Sequence, residues 1–351
     1  MDQLSVPVIS AAQRVLEAFR YPGRKSCLYT GQNDPAVAEA LGVKRWDWTP
    51  AVTENVEPWF WNTHTVALAF GCEAVFTSEG KEWIVPRITD VGQVRAIEIP
   101  DVKEGRTGEI LEKMAEMMEH FPGDTLIRLP DIQSPLGVAE LMWDQSFYLA
   151  LLTHPEEVHM LLEKVTVFTI NYINEIKKLL GNRYNPATHP QVWAPPEGYY
   201  MSDDVNSMLS PEQHLDFSIH YINRITRELG PLFYHSCTWT DPYFGNIEKL
   251  EGVRAVNWSF GTSADPAELM NRFSGRYVLI PHIGQGVHLE DGITNLDKGI
   301  RSEYDITRYL LDNMQENSSL FIWFQPELCQ DLEQISKIYR LMKERGYAPP
   351  V

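Results

Sequence analysis

The feature that most constrains the fold of this chain is a regular alternation of short apolar segments with helical segments in its second half. Alternation of this kind predicts a parallel sheet with helical crossovers, and enough such units can close into a barrel. The predicted strands cover residues 198–203, 232–237, 255–259, 277–283 and 320–324, and the predicted helices cover 211–228, 241–250, 266–272, 303–317 and 330–345.

The first half of the chain has a less regular pattern. Residues 1–60 are predicted to form short helices, at 11–19 and 34–41, joined by loops. Residues 65–100 are predicted to form a helix followed by β-structure, which includes the segment QVRAIEI at 93–99. Beyond it, the apolar spacing predicts a helix over 108–120, a strand over 126–129, a helix near 137–152 and a long helix over 155–180.

The long helix has clear signals at both ends. Pro155 suits the first turn, and Glu156 and Glu157 suit the positive end of the helix dipole. Gly181 follows the last apolar residues and is an expected stop. Between these ends, apolar residues recur mostly at three- and four-residue steps, which predicts one buried face.

Composition and charge argue against several classes of protein. The net charge is −18, from 30 basic and 48 acidic residues, and a phosphate-binding surface needs clustered Lys and Arg, so we expect no nucleic-acid partner. The four cysteines are too few for a disulfide scaffold in a chain of 351 residues. No secretory signal or apolar span of membrane length is visible. The sequence therefore predicts a soluble cytoplasmic protein.

Polar side chains cluster where the predicted strands end. Burying a polar group is unfavourable unless it is paired, and strand carboxyl ends carry the chemistry of α/β barrels. These positions are Asp131 and Gln133, Asp203 and Asp204, His235 and Cys237, Asn257 and Ser259, His282, and Gln325 with Glu327.

The run Tyr234-His235-Ser236-Cys237 is the strongest of these signals. If it is a strand, the imidazole and the thiol project from one face, because strand side chains alternate. Both are zinc-type ligands, and Cys329 as a third would leave an open position for water or substrate. The alternative is a buried histidine with two thiols that pack as small apolar groups.

Two further groups are candidates for catalytic roles. One of Asp203 and Asp204 could be a fourth metal ligand, a general base or a hydrogen-bond acceptor for substrate. Alternatively, one caps a loop and the other is a surface charge. His282 could donate a hydrogen bond into a pocket, or it could be a structural histidine satisfied by the backbone.

Several segments, taken together and in order, resemble the uroporphyrinogen decarboxylase superfamily, over about residues 60–345. They are Ser134-Pro135-Leu136-Gly137, Leu149-Ala150-Leu151-Leu152 with His154-Pro155-Glu156, Asp203-Asp204 with Leu209-Ser210-Pro211-Glu212, Tyr234-His235-Ser236-Cys237, Asp265-Pro266-Ala267-Glu268, and the strand leading into Cys329. The resemblance implies an α/β fold, a (β/α)8 TIM barrel over residues 61–351 with an N-terminal helical extension over residues 1–60.

The superfamily also contains zinc-dependent, corrinoid-linked methyltransferases, which bind zinc through a His-x-Cys pair and a later Cys. The resemblance places these ligands at His235, Cys237 and Cys329. Glycines that usually flank the two cysteines are replaced here by Thr238 and Leu328. No Asp-x-His-x-x-Gly signature of corrinoid binding is present, so any corrinoid (cobalamin) would arrive on a separate protein. The family also implies a homodimer.

The resemblance leaves two alternatives open. A tetrapyrrole decarboxylase is the first, although the arginine-bearing motif of that branch has no counterpart in residues 1–60. The second is a non-catalytic barrel that binds a corrinoid or tetrapyrrole. The sequence favours zinc-assisted methyl transfer between a small substrate and a corrinoid.

Overall fold

The chain folds into two compact units, which are described separately. Unit 1 consists of Met1–Thr49 and Arg254–Val351, and unit 2 is Pro50–Val253. The computed structural model describes residues 18, 20–23, 25–29, 62–121, 123, 126–186, 196–239, 241–261, 265–284, 287–288, 292–293, 300–324 and 331–347.

The strands of these described residues are short. They are β1 (Ser26–Tyr29), β2 (Glu73–Phe76), β3 (Glu82–Val85), β4 (Ile127–Arg128), β5 (Tyr184–Asn185), β6 (Tyr199–Ser202), β7 (Leu232–Ser236), β8 (Val253–Ser259), β9 (Val278–Ile283), β10 (Val287–His288), β11 (Gly292–Ile293) and β12 (Ser319–Phe324).

The helices separate most of these strands along the chain. They are α1 (Thr65–Ala69), α2 (Gln93–Ala96), α3 (Gly105–His120), α4 (Pro135–Met142), α5 (Phe147–Thr153), α6 (Pro155–Leu180), α7 (Pro211–His214), α8 (His220–Leu229), α9 (Asp241–Ile247), α10 (Pro266–Phe273), α11 (Glu303–Asn313) and α12 (Leu332–Glu344). A π-helix, Leu215–Ile219, joins α7 to α8, and a 3-10 helix, Asp204–Met208, follows β6.

Unit 1 contains a parallel sheet in the order β1-β12-β9-β8. In its register Cys27 is paired with Leu320, and Leu320 and Val256 are both paired with Leu279. Helices α10 and α11 lie between these strands in sequence. The parallel pairing confirms the predicted α/β class, while closure into a (β/α)8 barrel stays a prediction.

Unit 2 contains two parallel strand pairs, β6 with β7 and β4 with β5, and the antiparallel hairpin β2–β3. A parallel bridge joins Gln133, beyond the end of β4, to Ser202 at the end of β6. This bridge brings the segment after β4 to the carboxyl end of β6, where the candidate site lies.

Helix α6 is the central helix of unit 2 and has the predicted bounds. Pro155 begins it, and Gly181 ends it with a φ of 53°, in the left-handed region that favours glycine. Its predicted apolar face is buried, including Leu161, Val165 and Phe168. It packs against α3, α4 and α8, so burial of one apolar stripe organises the unit.

Two predictions in unit 2 are wrong. The helix predicted near 137–152 is two helices, because Trp143 is extended and Asp144 donates its N–H to the carbonyl of Ile88. The strand predicted within 93–99 contains α2 instead. There Val94 and Ile97, three residues apart, are buried while Ile99 is exposed, so helical spacing decides which side chains are covered.

The predicted N-terminal extension is described only in part. Within it, Ser26–Tyr29 forms β1 rather than a helix or loop, because it pairs with β12. The helices predicted at 11–19 and 34–41 fall outside the described residues apart from Ala18, and the boundary at residue 60 stays a prediction. Among the described residues, no helix combines the length and the apolar character needed to cross a membrane.

Candidate metal centre

The candidate centre lies at the carboxyl ends of β6 and β7. Ser202, which ends β6, is in register with His235, and the N–H of Asp203 donates to the carbonyl of His235 at 2.8 Å. The segment after β4 joins them, since Ser202 donates to Ile132 and Ser134 donates to Ser202 through backbone bonds of 2.9 and 2.6 Å. Three segments of unit 2 therefore meet at one edge.

Three side chains at this edge form a cluster of metal-ligand type. Candidate ligand atoms of Asp204, His235 and Cys237 all lie within 4.8 Å of one another. His235 Nε2 lies 3.4 Å from Cys237 Sγ and 3.6 Å from Asp204 Oδ1. β7 ends at Ser236, one residue before the predicted strand end, so Cys237 directly follows the strand. The N–H of Cys237 donates to Asp204 Oδ1 at 2.6 Å.

The cluster is buried on one side and open on the other. The His235 side chain is 4% exposed, whereas that of Asp204 is 32% exposed, so solvent reaches the carboxylate. Burial raises the pKa of the Cys237 thiol well above its usual range, and the negative charges of Asp204 and Asp131 raise it further. With no cation present, the thiol is therefore held in its neutral form beside a carboxylate.

The chemistry of these side chains fits a zinc ion. An imidazole nitrogen, a thiol sulfur and a carboxylate oxygen are the three donor types that zinc binds. The negative charge of Asp204 opposes ionisation of the Cys237 thiol. A divalent cation bound between them would balance that charge. Three protein ligands leave room for a further ligand or for substrate.

Asp203 has different surroundings from its neighbour Asp204. Its Oδ1 accepts from Ser134 Oγ at 2.7 Å and Ser218 Oγ at 2.9 Å. Its Oδ2 accepts from His214 Nε2 at 2.8 Å and Tyr234 OH at 3.0 Å. Four bonds fill the lone-pair sites of a carboxylate. The geometry therefore favours Asp204 over Asp203 as the residue that meets a metal or substrate.

The ionisation of Asp203 follows from the same contacts. Its side chain is fully buried, and burial alone would raise its pKa. The hydrogen bond and positive charge of His214, with the hydroxyl groups of Ser134 and Ser218, more than offset burial and hold the pKa below its usual value. Asp203 is thus an ionised, buried anchor that connects the end of β6 to β7, to the residue before α4, to α7 and to the π-helix.

The end of α7 and the π-helix that follows it supply two of these donors. His214 ends α7, and Ser218 lies four residues later within the π-helix Leu215–Ile219. The wider turn leaves both side chains in contact with the Asp203 carboxylate. π-Helical turns occur mostly as single insertions, often near functional sites. The sequence predicts an ordinary helix over 211–228 and offers no signal of this insertion.

A second polar chain lies beneath His235. The ring of Tyr200 stacks on that of His235, with centroids 6.0 Å apart. Ser202 Oγ donates to Asp131 Oδ1 at 2.9 Å, so its single proton is used and the bond of 2.7 Å between it and Tyr200 OH runs from the tyrosine. Gln133 Nε2 donates to Asp204 Oδ2 at 3.2 Å. The sequence marks Asp131 and Gln133 as polar strand ends but predicts no role for either.

The remaining predicted residues are not part of this cluster as described. Cys329, the predicted third ligand, lies outside the described residues. His282 is on β9 of unit 1, in register with Ser259, and its carbonyl accepts the N–H of Phe260 at 2.9 Å. The roles predicted for Cys329 and His282 stay predictions.

Comparison with known families agrees with the predicted resemblance. Residues 58–179 match the sequence model of the uroporphyrinogen decarboxylase (URO-D) family. The matched part is about a third of the chain and supports the URO-D superfamily, whose members are enzymes. It ends before β6, so the three clustered residues lie beyond it. No curated protein matches the chain significantly.

Proposed function

We propose that this chain is a zinc-dependent methyltransferase of the URO-D type, which moves a methyl group between a small substrate and a corrinoid carried by a partner protein. The observation that supports it is the grouping of Asp204, His235 and Cys237 at the carboxyl ends of β6 and β7. The resemblance to corrinoid-linked methyltransferases supplies the reaction class.

In this proposal His235, Cys237 and Asp204 bind the metal, with Cys329 as a further ligand that the resemblance implies. A bound Zn²⁺ would hold a substrate thiol as its thiolate, which suppresses protonation and leaves the sulfur nucleophilic. In such a transfer a sulfur–carbon bond would form as the cobalt–carbon bond breaks, with the electron pair left on the corrinoid and the thiol proton released to solvent.

The protein's own residues have separate tasks. The carboxylate of Asp204 is 32% exposed, against 4% for the His235 side chain, so a substrate can approach the cluster from the Asp204 side. His235 is held from beneath by the Tyr200 ring. Asp203 holds the backbone beside Asp204 in place. Its carboxylate oxygens are occupied by hydrogen bonds, so neither is left to bind metal or substrate. His282 remains a proposed hydrogen-bond donor to substrate.

Metal content and methyl transfer test the proposal together. Purified full-length protein is analysed for zinc and then incubated with methylcobalamin and a panel of small thiols, while the absorbance of the methyl–cobalt bond is followed. We expect close to one zinc per chain and thiol-dependent demethylation, both lost in Cys237→Ala and reduced in Cys329→Ala. Wild-type protein with no zinc, or with zinc content unchanged by Cys237→Ala, would contradict the metal centre.

A tetrapyrrole decarboxylase is the first alternative. Uroporphyrinogen carries many carboxylates, and a site for it needs cationic groups. Within the described part of unit 2, Asp204 is itself a member of the cluster, and the negative charge of Asp131 acts on the Cys237 thiol. Two carboxylates beside the centre disfavour a polyanionic substrate by like-charge repulsion. Release of carbon dioxide from uroporphyrinogen would favour this alternative.

The second alternative is a non-catalytic protein that binds a corrinoid or tetrapyrrole. It would bind such a ligand tightly, contain no metal and catalyse no turnover in the assay above. The proposed cytoplasmic location and the homodimer are independent of this choice and are tested by fractionation and by sedimentation. The separate corrinoid protein belongs to the methyltransferase proposal and is tested by co-purification.

A further inference from the structure

Two adjacent residues after β4 bind two adjacent residues after β6. Gln133 Nε2 donates to Asp204 Oδ2 at 3.2 Å, and Ser134 Oγ donates to Asp203 Oδ1 at 2.7 Å. The parallel bridge between Gln133 and Ser202 sets this register. One pair is part of the buried anchor, whereas the other ends on the carboxylate of the candidate metal centre.

The orientation of the Gln133 amide follows from its neighbours. A carboxylate only accepts hydrogen bonds, so the NH₂ group of Gln133 faces Asp204. Its Oε1 faces Gly137, where an added Cβ would lie 2.9 Å from that oxygen and 3.3 Å from Gln133 Cβ. Gln133 is 6% exposed. Its side chain is therefore enclosed, with the amide held between a glycine and a carboxylate.

We propose that Gln133 is the positioning residue for Asp204 as a metal ligand, and that Gly137 leaves the space which its amide occupies. This inference rests on the metal centre of the proposed function. Asp204 Oδ1 accepts the N–H of Cys237 and Oδ2 accepts from Gln133, so both oxygens are anchored and the plane of the carboxylate is defined. Without Gln133, a partly exposed carboxylate turns towards solvent and away from His235 and Cys237.

The expected size of the effect follows from hydrogen bonds that orient metal ligands. Removing such a partner typically weakens metal binding about 10–100-fold. Gln133→Leu removes the donor, and Gly137→Ala displaces the amide by its new Cβ. If both act through one contact, the second substitution has little effect in the presence of the first.

The experiment measures Co²⁺ affinity of the full-length protein, from the visible and thiolate-to-cobalt absorption, with urea unfolding measured in parallel. The variants are Gln133→Leu, Gly137→Ala, the double variant and Asp204→Asn. Tyr199→Phe is the control, because Tyr199 lies on β6, a few residues before Asp204, and its OH forms a buried bond with Thr226 Oγ1 of α8. The substitution removes that bond but touches no residue of the cluster.

We expect Gln133→Leu to weaken Co²⁺ binding about 10–100-fold, with Gly137→Ala weaker in the same direction and the two effects not additive. Tyr199→Phe should lose stability while keeping wild-type affinity. Wild-type affinity in Gln133→Leu, or an affinity loss in Tyr199→Phe that follows its loss of stability, overturns the inference while the metal centre stands. Wild-type protein that binds no Co²⁺ overturns both.

Discussion

Asp203→Asn is expected to destabilise the fold, whereas Asp204→Asn is expected to weaken metal binding with little effect on stability. In Asp203→Asn one oxygen can still accept from Ser134 and Ser218, but the new NH₂ group faces the His214 and Tyr234 donors. Two buried donors then lack an acceptor, and each costs about 1–3 kcal/mol, or about 2–6 kcal/mol in total. Such a loss is a large fraction of the stability of a typical domain.

Asp204→Asn is the matched control, since it makes the same chemical change one residue later. Its side chain is partly exposed, and an amide oxygen can still accept the N–H of Cys237. The Gln133 amide can turn over to accept from the new NH₂ group. In metal-free protein we expect a loss of less than about 1 kcal/mol in the free energy of unfolding, because no stabilisation by bound metal is then lost. Metal binding itself should be weaker.

Zinc content of the folded variants is measured first, and the metal is then removed with a chelator. Urea unfolding of the metal-free proteins at neutral pH, followed by fluorescence, gives both free energies from the transition midpoints and slopes. A midpoint for Asp203→Asn equal to that of wild type would refute the role of Asp203 as a buried anchor. Equal losses of stability in the two variants would refute the distinction drawn between the two carboxylates.

Three further predictions concern residues away from the centre. Burial lowers the pKa of Lys177 to about 8 from 10.5. Lys177 therefore holds its proton more tightly in the unfolded chain, and the free energy of unfolding should rise between pH 8 and 10.5. Urea midpoints of Lys177→Met across this window should lack that rise, and an equal rise in wild type and variant would contradict the prediction. An added Cβ on Gly108 would clash with the backbone carbonyl of Lys103, whereas an added Cβ on Gly123 would meet nothing. Thermal unfolding should therefore show a stability loss of about 1–3 kcal/mol for Gly108→Ala and almost none for Gly123→Ala, and similar melting temperatures for the two variants would argue against this packing. Trp83 on β3 is 60% exposed, so Trp83→Thr should change stability by less than about 0.5 kcal/mol and should slow aggregation measured by light scattering. A large drop in stability would contradict the exposure of the indole.

Sequence reasoning succeeded where the pattern is local. The ends of α6 follow from Pro155 and Gly181, and β7 follows from a compact apolar run. It failed where a distant segment decides the outcome. The break between α4 and α5 depends on backbone bonds from residues 87 and 88 to residue 142, and from residue 144 back to residue 88, more than fifty positions apart along the chain.

In the candidate site, too, the features set by local spacing could be predicted, and those set by distant segments could not. His235 and Cys237 could be predicted as a pair because their spacing is short, and they do lie 3.4 Å apart. The different surroundings of Asp203 and Asp204 could not be predicted, because they depend on partners in α7, in the π-helix and in the segment between β4 and α4. Adjacent identical side chains carry no signal of which one will be enclosed.

The pairing of residues 133–134 with residues 203–204 limits which changes in chain length the protein can accept. Deleting one residue between β4 and α4 would move Ser134 to the place of Gln133, and its short hydroxyl could not reach the Asp204 carboxylate. The same deletion would leave Asp203 without one of its donors. The length of this connection is therefore dictated by the two carboxylates, and length variation is better accommodated in exposed turns such as the one between β2 and β3.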